Sequence, residues 1–312
     1  MSGCSRSGLV RGAVGGVLAA AICAGLTPGE TAAPGWSAAP AHSAFKAEDD
    51  GPCGPFPDAL ATAVERAAAD GDIVGIAFVD READVYLGAG DTEVSFPAAS
   101  LTKLFIADDY LHRRAATATA IDREMLAGVV SMLATSDDGG AELLWTLGGG
   151  PAVVERVAER YALSATSAAD AWWDTAVTAA DVARYYDGLL SGRGGLSAPA
   201  RQIMIAGLQA TTPVAADGFD QDFGVWATLE RLGGPGLKQG WMTTGDRTIR
   251  HSTGFGGRDH RYVLVELAAL DPGSPSVADD IANAGASARA TAIVEAALPA
   301  RIAETAACVS TP

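Results

Sequence analysis

The chain has 312 residues, 48% of them apolar, and a formal net charge of -16. That is enough for one large domain or two small ones with a sizeable buried core. The charge argues against nucleic acid as a partner, because phosphate contacts need a basic face and the sequence offers none.

The N-terminus reads as an export signal over residues 1–33. Arg6 and Arg11 give a positive start, an apolar run over 13–26 follows, and small residues suited to cleavage come at Thr31-Ala32-Ala33. The apolar run is short for a membrane span, so no stable span is expected after cleavage; the alternative is a retained N-terminal anchor. Cys23 follows Ile22, a poor setting for lipid attachment. Residues 34–54, rich in Pro, Ala, Gly and Ser, read as a flexible linker. Cys53 and Cys308 stand at opposite ends of the mature chain, and an oxidising compartment predicts a disulfide between them; the alternative is two unpaired thiols.

Helical spacing over 57–69 is followed by β-rich runs at 73–79 and 85–87 around a turn at Glu82-Ala83-Asp84. Periodicity then predicts helices over 100–114, 122–134, 139–147, 151–161, 179–190 and, more weakly, 197–208. Three strands are expected at 236–242, 247–252 and 261–267, then a closing helix over 277–297 with Gly285 a place for a break. The order predicts an α/β (α+β) architecture. A sheet domain formed from 55–97 and 212–303 receives an all-helical insertion over 98–211, and 304–312 forms a tail.

Three short motifs carry chemistry. Ser100 and Lys103 are three residues apart, so on a helix they share a face, and an amine with a lowered pKa can activate a hydroxyl there. Ser136-Asp137-Asp138 opens a later helix, and Lys238-Gln239-Gly240 lies on a predicted strand. Taken singly each has a plainer explanation: a helix cap at Ser100 or Ser136, and a solvated lysine at a sheet edge.

Together, in this order, they resemble the three motifs of the class A β-lactamases and penicillin-binding proteins. The approach Phe96-Pro97-Ala98-Ala99 and the turn Gly149-Gly150-Pro151 agree with that family. Segments 103–109, Trp172-Trp173, Arg184-Tyr185-Tyr186-Asp187 and 238–242 are similar to a group of actinobacterial envelope lipoproteins with this fold. The resemblance implies a β-lactamase-like fold, with an antiparallel sheet of about five strands flanked by terminal helices. It implies an acyl-enzyme on Ser100, with Lys103 as base, Ser136 as proton relay and Lys238 as a charge near Ser136 that holds a substrate carboxylate. An oxyanion would sit on the backbone N–H groups of Ser100 and Trp241, beside Gly240.

Three departures qualify this. Asp138 stands where the family has Asn, so it cannot donate to a substrate carbonyl; it either pairs with Lys103 or selects an amine. Gln239 replaces a small hydroxyl residue and is expected to enter the cleft. The loop before Thr178 lacks the family glutamate: Asp174 matches a loop aspartate that forms a salt bridge, and Asp170 has no counterpart. Little β-lactam hydrolysis is therefore expected. His251 is placed to line the cleft, while His42, His112 and His260 lack metal-ligand spacing, so no metal or cofactor is expected. Trp172 and Trp173 either wall the pocket or pack a loop. The expected partner is a small-molecule or peptide substrate met by a secreted monomer in the cell envelope. The alternative is a binding protein that keeps the fold without catalysis.

Overall fold

The computed structural model describes residues 58–117, 123–271 and 279–295. The export signal, the linker, the tail and the Cys53–Cys308 pair fall outside these residues. Helix α1 (Asp58–Ala69) leads into β1 (Ile73–Asp80) and β2 (Val85–Gly90). A two-residue strand β3 (Phe96–Pro97) and a 3₁₀ turn (Ala99–Leu101) precede α2 (Thr102–Ala116), α3 (Arg123–Ala134), α4 (Asp138–Gly148) and α5 (Ala152–Tyr161). A second 3₁₀ turn (Trp172–Asp174) and strand β4 (Ala176–Val177) lead to α6 (Ala179–Ser191), α7 (Ala198–Gln209) and α8 (Trp226–Leu232). Strands β5 (Gly236–Thr244), β6 (Arg247–Gly256) and β7 (Tyr262–Leu270) and helix α9 (Asp279–Glu295) complete the order.

The large sheet is antiparallel with strand order β2-β1-β7-β6-β5, so strands from both ends of the chain interleave around the helical block. This is the α/β, β-lactamase-like class that the order of motifs implied. β7 is buried along its whole length, which suits a sequence that is apolar everywhere except at Glu266. On one face Phe78, Leu264, Tyr262, Trp226 and Leu229 form a core that reaches Val294 of α9. Beside it, Val64 of α1 packs with Ile76, Leu270 and Ile293. On the other face α6 packs on β1 and β7.

One expectation is corrected, and one helix was not foreseen. The last helix runs through Gly285 unbroken, where a side chain would meet open space. Helix α8 had no recognisable start signal, yet it buries Trp226 and Leu229 in the core. Among the described residues no helix is long and apolar enough to cross a membrane.

Candidate active site

Ser100 lies in the 3₁₀ turn that feeds α2, and its side chain caps neither helix. The residue before it, Ala99, has φ of 47°, and Ser136 has φ of 59°. Left-handed backbone is costly for residues with a Cβ and gathers at sites where the fold imposes it. Here two such residues flank one amine.

That amine is Lys103, fully buried on the first turn of α2. Its Nζ is 2.8 Å from Ser100 Oγ, 2.7 Å from the Ser136 carbonyl, 3.2 Å from Ser136 Oγ and 2.5 Å from Asp138 Oδ1. An ammonium has three N–H groups for these four oxygens; a neutral amine has two, plus a lone pair for the Ser100 hydroxyl proton. Either state finds partners. Burial pulls the Lys103 pKa below the ordinary lysine value, and Asp138, Asp137 and Asp217 oppose that shift. Asp138 therefore pairs with Lys103, one of the two roles its sequence position allowed.

Lys238 lies on β5, itself 1% exposed, with Nζ 2.8 Å from Ser136 Oγ and 2.9 Å from the Gln239 carbonyl. Burial, reinforced by the charge of Lys103, pushes its pKa well below the lysine range. A chain Ser100–Lys103–Ser136–Lys238 thus crosses from α2 through the start of α4 to the sheet edge. Gly240 permits the closure: a Cβ there would lie 3.0 Å from the Ala98 carbonyl and 3.5 Å from the Ala99 side chain. β5 is the edge strand, so one row of its backbone groups, next to the turn, is left unpaired by any strand.

Gln239 does not enter the cleft. Its side chain turns into the interior, whereas the Lys238 Nζ reaches Ser136 at the cleft floor. The buried Gln239 amide donates to the carbonyls of Gln221 and Phe223, both at 3.0 Å, and accepts from the Thr253 N–H at 3.3 Å. His251 is also a structural residue. It is buried, its Nδ1 accepts from the Ala268 N–H at 3.2 Å, and the ring proton on Nε2 therefore points at the Pro97 carbonyl, 2.9 Å away. Burial holds its pKa down to about 4 from 6.5. Between these values the unfolded chain binds a proton that the folded chain does not, so stability falls as pH drops from about 6.5 to about 4, by about 3 kcal/mol. Urea titrations across that range should show this slope in the wild type and a flatter one in His251→Gln; equal slopes would exclude His251 as its source.

The expected salt bridge of Asp174 is absent among the described residues; Asp174 and Asp170 are both exposed. The loop is anchored instead by the buried Asp181, which accepts from the Ala165 N–H at 2.8 Å and the Thr166 hydroxyl at 3.0 Å. Thr102 contributes too: its hydroxyl donates to the Trp172 carbonyl at 2.7 Å, tying the loop to the turn that bears Ser100. The sequence reading missed both.

A cleft of about 560 Å³ opens above these groups. Trp172, Trp173 and Trp241 line it, together with Asp138, Glu142 and Asp217. Trp172 packs the loop, with Nε1 donating to Glu142 at 3.3 Å, while Trp173 is 42% exposed. Trp241 stacks on Phe219 at 4.6 Å and donates to Asp217 at 3.3 Å.

No protein-family model matches the chain. The structure is similar to a β-lactamase from Sphaerobacter thermophilus, with a TM-score of 0.60 and 18% identity over 78% of this chain and 97% of that one. A β-lactamase from Xanthomonas campestris gives 0.60 and 19% over 77% and 96%. At such identities the likeness speaks for the fold. In sequence, the chain is 39% identical over 230 residues, 72% of each protein, to "Putative lipoprotein LppW" of Mycobacterium tuberculosis and of Mycobacterium bovis. The chain belongs to the LppW family, built on the fold of the class A β-lactamases.

Proposed function

We propose that this protein is a serine acyl-transfer enzyme of the cell envelope, acting on an amide, peptide or ester, with little hydrolysis of β-lactams. The observation that carries this reading is the 2.8 Å approach of the buried Lys103 Nζ to Ser100 Oγ beneath an open cleft. Ser100 Oγ bonds to the carbonyl carbon as its proton passes to Lys103, and the carbonyl π pair moves onto oxygen, where the N–H groups of Ser100 and Trp241 would receive it. Collapse expels the leaving group, which takes a proton relayed through Ser136, and water later releases the acyl group. The exposed positions of Asp170 and Asp174 and the buried, fully engaged Gln239 support weak β-lactam turnover.

A second reading is favoured by one contact. Asp138 Oδ1, 2.5 Å from Lys103, favours the charged and non-basic amine, as suits a binding protein without catalysis. Intact-mass spectrometry after exposure to fluorophosphonates, activated esters and β-lactams separates the two. The expected result is one covalent adduct on the wild type and none on Ser100→Ala. No adduct from any reagent overturns the acyl-enzyme reading.

A further inference from the structure

The charges lining the cleft are all of one sign. Asp138, Glu142 and Asp217 are its only charged lining side chains among the described residues, and each is exposed. The two cations of the site, Lys103 and Lys238, lie beneath the floor at 0% and 1% exposure and already have oxygen partners. An anionic substrate therefore meets three carboxylates before it meets a positive charge. The walls point the same way. Lys103 Nζ sits 4.8 Å from the centre of the Trp172 ring and Lys238 Nζ 5.9 Å from that of Trp241, so these indoles already face lysine amines from below. Above them Trp173 stands 42% exposed. Glu142 and Asp217 each accept one indole N–H through a single oxygen, Oε2 and Oδ2, so carboxylate and aromatic ring are presented as joined pairs. Carboxylates set beside the open face of Trp173 make a good receptor for an ammonium group.

We infer that the cleft takes an acyl substrate bearing a positive charge, an amine or quaternary ammonium held by Asp138 and Asp217 against the tryptophan wall. This rests on the acyl-enzyme reading above for the chemistry, but not for the binding. It also gives Asp138 a second role. Asp138 is bonded to Lys103 through Oδ1, yet its side chain is 74% exposed. A cation arriving there competes for the carboxylate and adds positive charge beside Lys103, and both effects favour the neutral amine that Ser100 needs. A cationic substrate thus promotes its own acylation, whereas a neutral one leaves Lys103 paired.

Two measurements test this. In the first, acylation by acetylthiocholine is compared with that by its neutral isostere 3,3-dimethylbutyl thioacetate, which matches it in shape and lacks the charge. The wild type should prefer the cation by at least about tenfold in kcat/KM, with part of the preference in kcat, and Asp138→Asn with Asp217→Asn should bring the ratio close to one. Equal rates for the pair in the wild type overturn the inference. In the second, tryptophan fluorescence of Ser100→Ala is titrated with benzyltrimethylammonium or phenylacetate. Saturable binding of the cation, weakened at least about tenfold by the two Asn substitutions, is expected. Phenylacetate binding as tightly, or no saturable response to the cation, overturns the inference. If neither thioester acylates Ser100 while the cation still binds, the acyl-enzyme reading fails and the cation site stands.

Discussion

Lys103→Met is expected to slow covalent labelling of Ser100 by about 10²–10⁴-fold, the usual contribution of a positioned general base. The side chain is fully buried and Met keeps its length, so the fold should persist while the amine is lost. Asp138 is largely exposed and can be solvated when its partner goes. The pH profile identifies the base. Burial lowers the Lys103 pKa, so wild-type labelling should rise with pH and reach half its maximum below the ordinary lysine value of 10.5. Asp138 opposes that shift; Asp138→Asn should move the midpoint lower still and raise labelling by neutral reagents near neutral pH. Second-order rates from intact-mass time courses measure both. An unchanged rate in Lys103→Met would remove Lys103 from the reaction.

Asp108→Ala is expected to cost about 3–5 kcal/mol of stability, because it strands a largely buried arginine. Asp108 is fully buried on α2, directly paired with Arg160 of α5, and accepts from the Tyr161 hydroxyl at 2.6 Å and the Tyr185 hydroxyl at 3.4 Å. Its neighbour Asp109 holds Arg156 through two bonds at 2.7 and 2.8 Å and Arg113 at 2.8 Å. The two carboxylates clamp α2, which supplies Lys103, against α5. Both arginines on Asp109 are 37% exposed, so Asp109→Ala should cost less. Urea denaturation of the two variants checks the order. A loss of no more than about 1 kcal/mol in Asp108→Ala would reduce the clamp to an ordinary surface pair.

These carboxylates also show what the sequence disclosed. Segments 103–109 and 184–187 carried the likeness to envelope lipoproteins, yet apart from Lys103 their side chains are architectural. Asp108 and Tyr185 meet in the interior, Tyr186 joins Thr253 at 2.9 Å, and Asp187 binds Arg81 at 3.1 Å and also Arg193 and Tyr86. Ser100, Lys103, Ser136 and Lys238 were legible because helical spacing and motif order suffice to bring them together. The direction of Gln239 was not. The first five residues of β5 are all buried, so burial does not reveal which alternate set faces the cleft. Asp174 misled for a related reason: its place in the motif predicted a bridge, but the fold supplies no cation there among the described residues. Helix α8 has seven residues and no capping side chain, so its existence depends on the core that Trp226 enters.

The setting of Gln239 constrains how this lineage can change. Its amide binds two backbone carbonyls and one N–H between β5, β6 and the segment before α8. A shorter residue would lose all three bonds, although the Phe223 carbonyl would keep the Ser252 hydroxyl at 2.9 Å and the Gln221 carbonyl would keep the Phe223 N–H at 3.1 Å. Each lost hydrogen bond costs about 0.5–1.5 kcal/mol. A mutational walk toward the third motif of the β-lactamases therefore begins with a loss of stability. Position 239 acts as an evolutionary ratchet, and new substrates are more readily reached through the exposed carboxylates of the rim.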